Sequence, residues 1–150
     1  MRDRINAALK AAMKDREQQR VCTLRLMNAA LNEREIATRT GDDRPGIDDA
    51  ESLDVLSRMV KQREESAKAY DEGGRPELAN QERAEIRIIR EFMPKPLAPE
   101  EVQAAVQAAI RDSEASSIKD MGRVMGVLKA KYQGRMDFGK AGAAVKDMLA

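Results

Sequence analysis

Three prolines fall within the six residues Pro94-Lys95-Pro96-Leu97-Ala98-Pro99, and no helix can run through them. Proline lacks the amide hydrogen that a helix interior needs, and its ring clashes with the preceding turn. It also biases the residue before it towards extended backbone. On both sides of this segment the apolar residues recur at helical spacing. The chain is therefore expected to be all-α and built as two helical subdomains. Residues 1–93 form an N-terminal four-helix domain, 94–99 a proline-rich hinge, and 100–150 a C-terminal three-helix tail. By itself the tail, about 50 residues, is expected to be only marginally stable.

The helices can be placed by their periodicity. Ile5, Leu9, Ala12 and Met13 mark the first. A second is expected from Glu17 to Thr40, with Val21, Leu24, Met27, Leu31 and Glu35 on one side, broken by the turn residues Gly41-Asp42-Asp43-Arg44-Pro45-Gly46. Asp48 or Asp49 can cap a third helix, in which Leu53, Leu56, Met59, Val60, Arg63, Ala67 and Tyr70 share a stripe that ends at Gly73-Gly74. Pro76 suits the first turn of a fourth, carrying Leu78, Ala79, Ile86, Ile89 and Phe92. Pro99-Glu100-Glu101 opens a fifth, with Val102, Ala105, Val106, Ala109 and Ile110. After a break near Ala115-Ser116, Ser117 and Asp120 can form a capping box for a sixth. Gly134 ends it, and Asp137 starts a seventh that runs to Leu149. Aromatic residues are only 3% of the chain, so aliphatic side chains must fill the cores, which favours helices over strands. No strand, repeat or low-complexity tract is evident.

The sixth helix holds an anomaly. Gly122 and Gly126 stand inside it, and each costs a helix about 1 kcal/mol relative to alanine. At about 100° per residue, Ile118, Met121, Val124, Met125, Leu128 and Tyr132 fall on one arc. Lys119, Gly122, Arg123, Gly126, Lys129 and Ala130 fall on the opposite one. Small residues flanked by cations admit close approach of a backbone and can neutralise phosphates. From Ser117 onward there are seven basic residues and three acidic ones, in a chain whose formal net charge is only +1. The candidate RNA contacts are Lys119, Arg123, Lys129, Lys131, Arg135 and Lys140, with Gly122, Gly126 and Gly134 giving clearance. With so few aromatics, contact is expected to shape and backbone, not to bases. The alternative is structural: the two glycines seat a neighbouring helix.

The parts for autonomous chemistry are missing. There is no histidine, which removes the usual general base and the commonest metal ligand. Cys22 is the single cysteine, expected as a small buried hydrophobe between Val21 and Leu24. Glu64-Glu65 and Glu82-Glu85 alternate with Arg63, Arg83 and Arg87, a pattern for ion pairs and not for a metal pair. No cofactor, metal or catalytic residue is assigned. No stretch approaches the roughly 18 apolar residues of a membrane span, so a membrane is not an expected partner and the cytoplasm is the expected location. A net charge of +1 gives no strong global attraction to nucleic acid, and DNA is not an expected partner.

The ordered blocks along the chain resemble the GatB/YqeY family in its stand-alone YqeY-like form. They are Val60-Lys61-Gln62-Arg63 with Glu65-Ser66 and Tyr70, Gly74-Arg75, Leu78, Glu82, Glu85, and Phe92-Met93-Pro94. In the tail they are Lys119-Asp120-Met121-Gly122-Arg123-Val124-Met125-Gly126, Gly134-Arg135 and Val145. The tail also resembles that of the B subunit of the glutamine-dependent aspartyl/glutamyl-tRNA amidotransferase. The resemblance implies an all-helical fold of two subdomains, tRNA handling by the tail, and a family association with carbon–nitrogen ligases using glutamine as amido-nitrogen donor. The catalytic body of that subunit has no counterpart here, so the chain alone is not expected to catalyse amidation. The reading is an accessory protein whose tail binds tRNA or another structured RNA in connection with tRNA-dependent amidation. The competing reading is a helical adaptor that docks onto a protein partner through its N-terminal helices.

Overall fold

The computed structural model describes residues 1–38 and 46–150. These are all-α, with α1 at Arg2–Lys14, α2 at Gln18–Thr38, α3 at Asp49–Glu72, α4 at Pro76–Arg90, α5 at Pro99–Asp112, α6 at Met121–Tyr132 and α7 at Phe138–Leu149. A 3₁₀ turn, Ile118–Asp120, leads into α6. The chain divides into two compact units, Met1–Pro94 and Lys95–Ala150. The expected end of the second helix at Thr40, and the turn over residues 41–45, lie outside the described residues.

The N-terminal unit is organised by the α3–α4 hairpin. Asp48 caps α3, its Oδ1 accepting from the Glu51 amide at 2.8 Å. At the other end Gly74 takes φ +72, and the Arg75 amide then reaches back to the Tyr70 carbonyl at 2.8 Å. Proline at the first position of α4 follows at once, so the chain reverses within three residues. Ion pairs bind the two helices: Arg63 Nε to Glu85 Oε2 at 2.9 Å, Arg90 Nη2 to Glu64 Oε1 at 2.8 Å, and Arg83 to Asp71. Of the carboxylates read from sequence as ion-pair formers, Glu64 and Glu85 thus meet arginines of the facing helix, while Glu65 and Glu82 do not. Glu82 lies beside Glu85, and its carboxyl is pushed up by burial and then by that neighbour's charge, against the pull of Arg63.

Ile5, Leu24, Met27, Leu31, Leu56 and Ile89 are fully buried in this unit, and Phe92 closes the core with the Arg4 guanidinium 5.4 Å from its ring centre. Two residues expected inside lie outside. Met13 is 50% exposed, because Ala12 falls back under Ile5 while Met13 sits about 100° further round. Cys22 is exposed, being two residues, and therefore about 200°, from Leu24.

In the C-terminal unit Pro99 begins α5, and the Ala98 amide donates to Glu101 Oε1 at 3.0 Å. The Leu97 amide donates to the Arg135 carbonyl at 2.8 Å, while Arg135 Nε donates to the Lys95 carbonyl at 2.9 Å. Part of the expected 94–99 hinge is therefore tied to the turn between α6 and α7. Val106, Val124, Leu128, Ala141 and Val145 are completely buried where α5, α6 and α7 meet.

Removing one partner of the Arg63–Glu85 pair leaves the other charge only 13–19% exposed. Glu85→Ala is expected to destabilise the protein by about 1–3 kcal/mol in urea unfolding. The double change Arg63→Met/Glu85→Leu is expected to recover most of that loss, since the pair's own net contribution is small.

Candidate nucleic-acid interface

The α6 face is built by a cap, a tightened turn and two open glycines. The Ser116 and Ser117 amides donate to Asp120 Oδ2 at 2.9 and 3.2 Å, so the carboxylate half of the expected capping box is made, but the Ser117 side chain makes no cap bond in return. These amides, with Arg123 as a lesser contributor, hold the Asp120 carboxyl below its ordinary range. Because residues 118–120 wind as a 3₁₀ turn of three residues, Ile118 is rotated away from the arc it shares with Met121 and Val124 on the helical wheel and is 47% exposed. Val124 and Leu128 are buried, and Met121, Met125 and Tyr132 are half-buried.

Gly122 and Gly126 face open space. A Cβ built at either position would have no atom within 4 Å. The close helix approach that glycine permits occurs at Gly142 of α7, whose Cβ would stand 3.4 Å from the Met121 Cε and 3.9 Å from the Met125 Cε. No sequence argument singled out Gly142. Its signal in the sequence was the small pair Ala141-Gly142, four and three residues ahead of Val145.

The nine candidate residues separate into groups. Lys119, Gly122, Arg123, Gly126 and Lys129 are exposed along the start and outer face of α6. Arg123 pairs with Asp120 at 2.7 Å. Lys131 is turned towards α5, with its Nζ 3.8 Å from Asp112 Oδ2. Gly134 is buried with φ +80, so it serves the α6–α7 turn. Arg135 is half-buried, its Nε held by the Lys95 carbonyl. Lys140 is exposed on the first turn of α7, where its amide and that of Gly139 donate to Asp137 Oδ1 at 3.3 and 2.8 Å. Among the described residues no group of three or more Cys, Asp or Glu is placed to hold a metal, and no helix is long and apolar enough to cross a membrane.

Filling the open positions tests this geometry. Gly122→Ala and Gly126→Ala are each expected to raise stability by about 0.5–1 kcal/mol, because alanine has the better helix propensity and meets nothing. Gly142→Leu is expected to lower it by about 1–3 kcal/mol through overpacking against the two methionines. Urea unfolding reads both signs. The cap gives a pH test. A carboxyl held below its ordinary value stabilises the fold above that value and loses the effect as pH falls through the folded one. Asp120→Ala is therefore expected to lower the melting temperature at pH 7. The difference from the parent chain should begin to shrink as pH falls below the ordinary aspartate value of about 3.9 and vanish only once pH has passed the still lower folded value.

These features sit in a chain that matches a curated protein over part of its length. Over 85 residues it is 33% identical to a protein of Eremothecium gossypii described as altered inheritance of mitochondria protein 41, mitochondrial. That match takes in 57% of this chain and 44% of the relative, so it spans less than half of that protein. The family model described as Yqey-like protein matches residues 2–149, covering both helical units together with the capped, glycine-bearing α6. On that match, the chain belongs to the YqeY-like family.

Proposed function

We propose that this protein is an RNA-binding accessory factor, whose C-terminal unit takes the phosphate backbone of tRNA or another structured RNA against the outer face of α6, in connection with tRNA-dependent amidation. The observation that carries the reading is the empty space over Gly122 and Gly126, beside the exposed cations Lys119, Arg123 and Lys129. Two glycines that weaken a helix and seat no neighbour in their own unit are accounted for by an incoming backbone. The cations beside them neutralise phosphate and release counterions. Arg123 must exchange Asp120 for phosphate, so its contribution is smaller than that of Lys119 and Lys129. Lys131 and Arg135 are engaged elsewhere in the unit and contribute less.

The test is titration of purified protein with deacylated tRNA, followed by fluorescence anisotropy over a range of salt. Lys119→Ala and Lys129→Ala are each expected to weaken binding similarly for different RNA sequences and to lower the salt slope by about one unit. Gly126→Leu is expected to abolish binding while its melt stays at or above the parent value. Basic-residue variants with unchanged affinity and salt slope would overturn the reading.

A further inference from the structure

Along one face of the α3–α4 hairpin runs a short ladder of charges. Its outer rungs are the ion pairs Arg90–Glu64, at 2.8 Å, and Arg83–Asp71. Glu64 and Asp71 are seven residues apart on α3, as Arg83 and Arg90 are on α4, so the rungs stand about 10.5 Å apart. The strip between them holds Ala67 and Lys68 on α3, and Ile86 and Arg87 on α4. Ala67 and Ile86 are buried, while Lys68 and Arg87 are exposed on the outer side. From the Arg90–Glu64 rung, Lys68 lies about 6 Å along α3 and Arg87 about 4.5 Å along α4, nearly the same level. The middle rung therefore sets two cations together where its neighbours set opposite charges.

The carboxylates that could neutralise this rung are engaged. Glu64, four residues before Lys68, holds Arg90, and Asp71, three after it, holds Arg83. Glu91, four residues after Arg87, holds Arg20. Glu65 and Glu72 stand about 40–60° further round α3, on the side of Lys68 away from α4. Among the described residues neither Lys68 nor Arg87 forms an ion pair. The ladder thus carries four cations, Lys68, Arg83, Arg87 and Arg90, against two carboxylates, an excess of two positive charges.

We infer that the middle rung is a binding site for a dianionic phosphate group, carried by inorganic phosphate or a phosphate monoester. A dianion cancels the excess and turns the like-charged rung into a bridge between the helices. Arg87 offers a planar fork to two phosphate oxygens, and Lys68 a point charge. Arg83 and Arg90 add attraction from fixed positions without leaving their carboxylates. A phosphodiester, with one charge, answers only half of the excess. The site is exposed, so its affinity falls as salt rises. It lies in the N-terminal unit and does not rest on the RNA-binding reading of α6.

The test follows ¹H–¹⁵N spectra of the full chain at constant ionic strength during titration with glycerol phosphate, inorganic phosphate or dimethyl phosphate. The first two are expected to give saturable shifts centred on Lys68 and Arg87, and the diester to bind more weakly. Tighter binding of the monoester than of inorganic phosphate assigns an ester as the ligand, and equal binding assigns the phosphate group alone. Lys68→Ala and Arg87→Ala are each expected to weaken binding by about fivefold. Lys68→Glu supplies the missing carboxylate, so it is expected to abolish binding while its melt stays at or above the parent value. Lys119→Ala/Lys129→Ala is expected to leave phosphate binding unchanged, which separates this site from α6. Shifts that never saturate, shifts centred on α6, or a Lys68→Glu chain that binds like the parent overturn the inference. A diester that binds as tightly as the monoester overturns the assignment to a dianion.

Discussion

The packing of this protein depends on how closely its helices can approach without large rings to fill the space between them. The chain has two phenylalanines, two tyrosines and no tryptophan. The buried positions include Ala12, Ala67 and Ala79 in the N-terminal unit, and Ala105, Ala109 and Ala141 in the C-terminal one. A Cβ added at Gly142 would lie in contact distance of two methionine methyls. Small residues at the contacts and flexible methionines around them let aliphatic cores reach high density. The arrangement concentrates its demands on a few positions, where a larger side chain needs its neighbours to move.

Against that economy the outer side of α6 stands apart. Its glycines serve no internal contact, and its cations lie on the exposed surface, while Arg2, Arg20, Arg34, Arg63, Arg83 and Arg90 of the N-terminal unit are paired with carboxylates elsewhere in that unit. The charge that a nearly neutral chain can offer to a polyanion is therefore local, set by which side chains lack a partner nearby and not by composition.

Much of the fold was legible because helix boundaries are written in short-range chemistry. Asp48, Pro76, Pro99 and Asp137 begin helices where their side chains or fixed φ satisfy the first turn, and Gly74 and Gly134 end them where φ is positive. The all-α reading followed from such signals, and the YqeY-like resemblance from the ordered residue blocks along the chain. What stayed hidden depends on distance across the fold. A wheel drawn for one continuous α-helix could not show that residues 118–120 tighten into a 3₁₀ turn, so it misplaced Ile118. Cys22 was misjudged from its neighbours in sequence, which point to other sides of the helix. Equal weight on Lys131, Arg135 and Lys129 was unavoidable before the carboxylate and carbonyl beside the first two could be seen. Spacing placed Gly122 and Gly126 correctly on the outer arc, but only the coordinates exclude a neighbouring helix of the same unit as the reason for them.

The bonds joining Lys95, Leu97 and Arg135 give the proline-rich segment a property its composition conceals. A linker amide ordinarily exchanges its hydrogen with solvent as fast as an unfolded chain. The Leu97 amide, held by a carbonyl 38 positions further along the chain, is released only when the turn after α6 lets go. Its protection against exchange therefore reports local opening of the C-terminal unit, from a position outside every helix. That amide is a built-in probe of whether the turn stays closed when a ligand is added.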